Sequence, residues 1–337
     1  MESHIKEFFN NFCQSENTNI VALPQSGSSR KNYIATIDDK KYVITDNDNL
    51  RENEVFFYFT EVFSKLNLNT PKIFKISENR QVYIQEYLGE HTLSEIISTE
   101  FDETRIKSLA RKTLNQLFDL QQKSINKINY TKTFDYEEYD DLAILHDLYY
   151  FKNFLVDVLE INYHKSKLLK EFQTITKTVS RLEPKGLMIR DFQARNIMVD
   201  DKDDVFFIDY QGAMFGPLMY DVISFLYQAK ANFSIEFKQE MLDYYISLFP
   251  EEKEREELKN AIKPIIMMRY LQVLGAYGFR GLIQRKKHFI NSLDQGIKNI
   301  VELSTTWRDL QAYPELLSVI QQLETTDTKL KIESILK

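Results

Sequence analysis

The sequence predicts an α+β protein, with a small antiparallel sheet near the N-terminus and a mainly helical remainder. Three observations predict this. The first hundred residues alternate short β-type runs with helical stretches, apolar residues recur at helical spacing over most of the rest, and one hairpin at 188–212 interrupts the helices.

An amphipathic helix opens the chain. Val21–Gln25, Asn32–Ile37 and Lys41–Thr45 then read as three strands, because β-branched and aromatic residues cluster there between the turn segments Ser26–Lys31 and Asp38–Lys40. Asn49–Leu66 places Val55, Phe56, Phe59, Val62, Phe63 and Leu66 on one helical face, and Asn69-Thr70-Pro71 stops it. Lys72–Ile76 and Gln81–Tyr87 supply two more strands. After a connector at Gly89–Thr92, Thr92 and Glu95 have the spacing of a capping box. Helical periodicity follows through Ile106–Phe118, Leu142–Leu159 and Leu168–Leu182. Beyond the hairpin it resumes around Tyr220–Gln228, Phe237–Leu248 and Lys253–Leu282, with two helices near the C-terminus.

The hairpin, MIRDFQARNIMVDDKDDVFFIDYQG, carries the chemistry. Asp191 precedes Asn196 by five residues in a polar loop, Ile197–Val199 forms one arm, Asp200–Asp204 the turn, and Val205–Ile208 an arm ending at Asp209. Such a hairpin brings Asn196 and Asp209 side by side with Asp191 ahead of them. One carboxylate and one amide oxygen suit magnesium, whose other ligands would be phosphate oxygens and water. A further carboxylate can align a hydroxyl and accept its proton. The competing reading is a surface hairpin whose Asp and Asn residues only cap turns.

A formal charge of −7 and a pI near 5.5 give no reason to expect nucleic acid or an anionic membrane as a partner. No signal peptide or transmembrane run is evident, and Cys13, the single cysteine, forms no intramolecular disulfide, so a cytoplasmic location is expected. The five histidines show no metal-ligand spacing.

IRDFQARN followed by FFIDYQG resembles the catalytic and metal loops of the aminoglycoside phosphotransferase and choline kinase group, which share the protein-kinase fold. GPLMYDVISFLYQAK and LQVLGAYGFRGLIQRK extend the resemblance toward bacterial anomeric N-acetylmuramate and N-acetylglucosamine kinases. The resemblance implies a bilobal protein: an N-lobe over 1–88 and a helical C-lobe over 89–337 that includes the catalytic and metal loops. It implies ATP and Mg²⁺ as cofactors and transfer of the γ-phosphoryl group to a hydroxyl of a small acceptor, an amino sugar at its anomeric position. An aminoglycoside or an amino alcohol such as choline is the alternative acceptor, and a nucleotide-binding pseudokinase scaffold is the alternative of another class.

The resemblance also distributes roles. Asp191 would act as base, Arg195 would face the transferring group or form an ion pair with Asp221, and Asn196 and Asp209 would hold the metal. Gly27, Ser28, Ser29 and Arg30 would cover the phosphates, and Glu86, Tyr87 and Leu88 would form the adenine hinge. A lysine expected inside the third strand is missing, since KKYVITDND offers Val43, Ile44 and Thr45 there. Arg30, Lys31 or Arg51 would replace it, paired with Glu54. Ile189 stands where relatives carry histidine. Residues Arg269–Lys286, with Gly275 and Gly278 among cations and tyrosines, would form either an acceptor surface or a core helix.

Overall fold

A computed structural model of the chain describes residues 3–24, 30–100, 102–228 and 231–337. Helix α1 (Ser3–Cys13) leads to strands β1 (Asn19–Ala22), β2 (Lys31–Ile37) and β3 (Lys40–Asp46), then helix α2 (Leu50–Lys65) and strands β4 (Ile73–Ile76) and β5 (Val82–Glu86). These strands form one antiparallel sheet in the order β1-β2-β3-β5-β4. β1 starts two residues before the expected Val21, because its pairing with β2 begins at Asn19 opposite Thr36. Gln25, the expected end, lies outside the described residues.

The two faces of the sheet bury different partners, as strand alternation requires. Tyr33, Ala35, Ile44 and Ile84 join Ile5 and Phe9 of α1 in one core cluster. Tyr83 points the other way, with Phe56 and Phe57 of α2 at ring-centroid distances of 5.4 and 5.1 Å. Asn49 caps α2 through its side chain, and Asn53 binds the carbonyls of Asn47 and Arg80 at 2.9 Å each, tying the start of the helix to the sheet.

Strand β6 (His91–Thr92) and helices α3 (Leu93–Thr99) and α4 (Glu103–Lys123) come next, with the expected Thr92–Glu95 capping box present. Helices α5 (Asp141–Phe151) and α6 (Lys165–Val179) and strand β7 (Lys185–Met188) precede the hairpin arms β8 (Ile197–Val199) and β9 (Val205–Phe207). Then follow β10 (Met214–Pro217), α7 (Met219–Leu226), α8 (Ile235–Ser247), α9 (Glu252–Tyr277), α10 (Lys287–Thr306), α11 (Pro314–Leu323) and α12 (Thr326–Leu336).

The chain divides into two compact units, one of residues 1–137 with 189–214, the other of residues 138–188 with 215–337. This division differs from a boundary at residue 88. The hairpin groups with the sheet-bearing unit because β8 pairs with β6, the Phe207 N–H donates to the Asn69 carbonyl at 2.9 Å, and β9 packs on α4. Gly89 makes part of this possible: its φ is +128°, and a Cβ there would stand 2.8 Å from the Val199 carbonyl oxygen.

In the second unit α9 is central, packing against α5, α7 and α10. The helices α5 and α9 each run on into a short π-helical segment, Lys152–Val156 and Gly278–Ile283, where the sequence predicted uninterrupted α-helix. Glycines allow these segments to touch: a Cβ on Gly278 would lie 2.1 Å from the Phe154 carbonyl oxygen. No described helix is long and apolar enough to cross a membrane.

Candidate active site

The polar end of the hairpin is built by its own ladder. Ile197 pairs with Phe207, and the Ile208 N–H donates to the Asn196 carbonyl at 3.0 Å, so Asn196 and Asp209 end the two arms side by side. Asn196 is buried, and its Nδ2 donates to the Asp191 carbonyl at 2.9 Å, which turns its amide oxygen away from that contact. Asp191 remains accessible, with its side chain 42% exposed, and accepts a 2.8 Å bond from Arg195. Arg195 thus pairs with Asp191 itself. Asp221, the other partner considered, is fully buried on α7.

Two residues here adopt left-handed backbone conformations that side chains disfavour: Arg190 at φ +73° and Asp209 at φ +64°. Arg190 directly precedes the Asp191 carboxylate and Asp209 bears its own, and such conformations persist only where surrounding contacts hold them. Ile189 is buried against the core, as an apolar residue in that place would be.

Asp209 is the centre of a charged cluster. Arg30 binds its Oδ1, Gln211 Nε2 donates to the same oxygen at 2.9 Å, and Gln211 also approaches Glu52 at 3.4 Å. Arg30 Nε lies 3.8 Å from Glu52, whose second oxygen accepts from Asn47 at 2.8 Å. Burial works against the charge on Asp209, but the Arg30 guanidinium and the hydrogen bonds from Gln211 and Arg30 outweigh it and hold the carboxyl below the usual carboxylate range. Burial likewise opposes the charge on Arg30, and Asp209 with Glu52 more than compensates, pushing its pKa up.

The helix partner is therefore Glu52. Glu54, chosen from the sequence, is exposed on another face of α2 and pairs with Arg80 of the β4–β5 turn. A signal was present in the sequence: Glu52 continues the stripe of Phe56, Phe59 and Phe63 at i+4 and i+3 spacing, and Glu54 does not. Of the three candidate cations, Arg30 reaches the cluster. Arg51 lies over the Phe134 ring at 5.4 Å, and Lys31 is exposed. Gly27, Ser28 and Ser29 lie outside the described residues.

At the expected hinge, the Glu86 N–H is already donated to the Lys72 carbonyl at 2.8 Å, Tyr87 lies under the Lys41 ammonium, and Leu88 is buried. In the second unit, Arg269 is a core residue: it donates to Tyr220 Oη at 3.1 Å and to Gln272 at 3.0 Å. Gly275 and Gly278 pack against the backbone of residues 150–155. Arg280 lies over the Phe289 ring at 5.4 Å.

Residues 20–258 match the phosphotransferase enzyme family, APH. The chain belongs to that family. A curated relative in Neisseria meningitidis serogroup B (strain ATCC BAA-335 / MC58), an N-acetylmuramate/N-acetylglucosamine kinase, is 26% identical over 184 residues, which are 53% of this chain and 52% of that protein. The chain thus spans about half the length of the relative it matches. Among solved structures, choline kinase LicA from Streptococcus pneumoniae matches 89% of this chain and 100% of its own, at 14% identity and a TM-score of 0.60. The gentamicin complex of APH(2'')-IIa matches 89% and 96%, at 17% identity and a TM-score of 0.62. ADP-bound aminoglycoside phosphotransferase APH(2'')-Ib matches 90% and 99%, at 17% identity and a TM-score of 0.58. The α+β fold of this APH-family chain, a five-stranded sheet with a mainly helical remainder, is the protein-kinase-like fold of these phosphotransferases.

Proposed function

We propose that the chain is an ATP- and Mg²⁺-dependent kinase that phosphorylates a hydroxyl of a small molecule, an amino sugar at its anomeric position. The observation that carries the chemistry is the placement of Asn196 and Asp209 at adjacent hairpin ends, with Asp191 accessible beside them. The amino-sugar acceptor rests on the similarity to the meningococcal kinase.

Asp191 aligns the acceptor hydroxyl and takes its proton. A carboxylate has about four acceptor sites, so the bonds from Arg195 at 2.8 Å and Asn196 Nδ2 at 3.4 Å, both to Oδ2, leave capacity for a substrate hydroxyl. Arg195 orients the Asp191 carboxylate through its 2.8 Å bond and offers its remaining donors to charge developing on the transferred group. Asn196 locks the loop through its amide nitrogen and keeps its amide oxygen available.

The donor set fits magnesium. Asp209 and Asn196 supply hard oxygens, and phosphate oxygens and water would complete the shell. When bound, the ion neutralises charge on the phosphates.

ATP consumption by the purified protein should be followed with N-acetylmuramate, N-acetylglucosamine, other sugars, choline and aminoglycosides. Turnover of an amino sugar, lost in Asp191→Asn, is the expected result. Turnover of choline or an aminoglycoside alone would replace the acceptor, and inactivity on every acceptor would remove the catalytic reading.

A further inference from the structure

The interior of β3 carries no cation. Val43, Ile44 and Thr45 occupy it, and Thr45 is buried with its hydroxyl bound to Asn32 at 2.8 Å. A triphosphate is the most highly charged group this site would hold, so a positive side chain must reach it from elsewhere. Arg30 comes from the position just before β2, its side chain only 15% exposed, and its guanidinium spans Asp209 and Glu52.

The two carboxylates have different supports. Glu52 accepts from Asn47 and sits in the first turn of α2, whose start is tied to the sheet by Asn53. It does not have to move. Asp209 ends the hairpin and would be needed by the metal. Gln211 bridges both acids through one amide nitrogen, and its amide oxygen is buried without a hydrogen-bond partner. The four side chains thus form a closed ring of two anions, one cation and one amide, and Arg30 is its only positive member.

We propose that Arg30 is the phosphate-binding cation of this site and Glu52 its positioning partner, with Asp209 holding the guanidinium only until nucleotide and metal arrive. The proposal rests on the kinase reading above. A guanidinium suits the task because its five N–H donors point in fixed directions, so one edge stays on Glu52 while another turns to phosphate oxygens. An ammonium in the same place would offer a point charge without that fork. Gln211 stays between the acids in both states and keeps the vacated side of Asp209 aimed at the hairpin end.

The test is equilibrium binding of ATP and of adenosine, with and without Mg²⁺, to the full chain and to Arg30→Ala, Arg30→Gln, Glu52→Gln and the Arg30→Ala/Glu52→Gln double variant, each checked for an unchanged melting profile. Arg30→Ala should weaken ATP binding about ten- to a hundredfold, the range for loss of hydrogen bonds to a charged group, and leave adenosine binding unchanged. Arg30→Gln, which keeps a donor for Asp209 without the charge, should behave like alanine. Glu52→Gln should lose less, and the double variant no more than Arg30→Ala alone. Unchanged or tighter ATP binding in both Arg30 variants would show that Arg30 merely latches Asp209, and would overturn the proposal while leaving the kinase reading intact. If the unmodified chain binds no ATP, the kinase reading falls first and the proposal with it.

Discussion

The Tyr210 hydroxyl lies 2.6 Å from the Thr60 hydroxyl, and joins the residue after Asp209 to the middle of α2. Thr60 gives its own proton to the Phe56 carbonyl at 2.7 Å, so Tyr210 is the donor. Its ring stacks on Phe56 at 5.0 Å and meets Phe63 edge-on at 5.1 Å. The helix that carries Glu52 and the turn that carries Asp209 are thereby packed as one block. Tyr210→Phe should cost about 1 kcal/mol by leaving Thr60 short of a donor. Tyr210→Ala should cost about 3–5 kcal/mol by opening a cavity. Denaturant midpoints at constant slope measure both, and equal losses would mean that the ring contributes nothing.

Asp191→Asn should lower kcat by about 10²–10⁴, the usual share of a positioned general base. ATP affinity should stay within a few-fold, since in the proposed function Asp191 serves the acceptor hydroxyl. A matching loss in ATP binding would assign Asp191 to the nucleotide instead. Asn196→Ala should raise the Mg²⁺ concentration needed for half-maximal activity, in a titration at saturating ATP.

How far the sequence alone reached depended on whether a relationship was local. Asp191, Asn196 and Asp209 were legible because hairpin spacing, a property of neighbouring residues, brings them together. The five strands and α2 followed from alternation and from a stripe of Phe. The choice between Glu52 and Glu54 was also legible, but only through the i+4 and i+3 spacing that puts Glu52 on the stripe of Phe56, Phe59 and Phe63, since residue type alone does not separate two glutamates. The π-helical segments were not legible, because they lie where stretches distant in the chain meet, with Gly278 against the Phe154 carbonyl.

That contact can be tested. Gly278→Ala would set a methyl group 2.1 Å from the Phe154 carbonyl oxygen and should destabilise the protein by about 1–3 kcal/mol or more. Gly281→Ala meets its nearest neighbour, the Ile290 nitrogen, at 3.3 Å, a tight but not overlapping approach, and should cost less than Gly278→Ala. The two midpoints, measured together, separate crowding at the crossing from a general loss of helix flexibility.

Alkaline stability should report on Tyr83. Burial pushes its phenol up to about 12, with Arg30 and a hydrogen bond to Thr45 partly relieving the shift. The unfolded phenol ionises near its ordinary value of about 10, so the unfolded state releases its proton first as pH rises. The stabilisation is fully present below about pH 10 and is lost as pH climbs to about 12, amounting to roughly 3 kcal/mol. Tyr83→Phe should flatten that part of the stability curve, and an identical curve would exclude Tyr83 as the source.

The sheet-bearing unit is discontinuous: residues 189–214 complete it, and residues 138–188 come between. During synthesis, Phe56 and Phe63 of α2 therefore leave the ribosome well before Tyr210, the ring that covers them. At ~5–20 residues per second, the intervening segment alone imposes a wait of roughly 3–10 s. Through that interval Phe56 and Phe63 lack the Tyr210 ring, so α2 offers more apolar surface to aggregation than it does in the finished protein. The order of the segments along the chain thus sets when the aromatic packing around α2 can be completed.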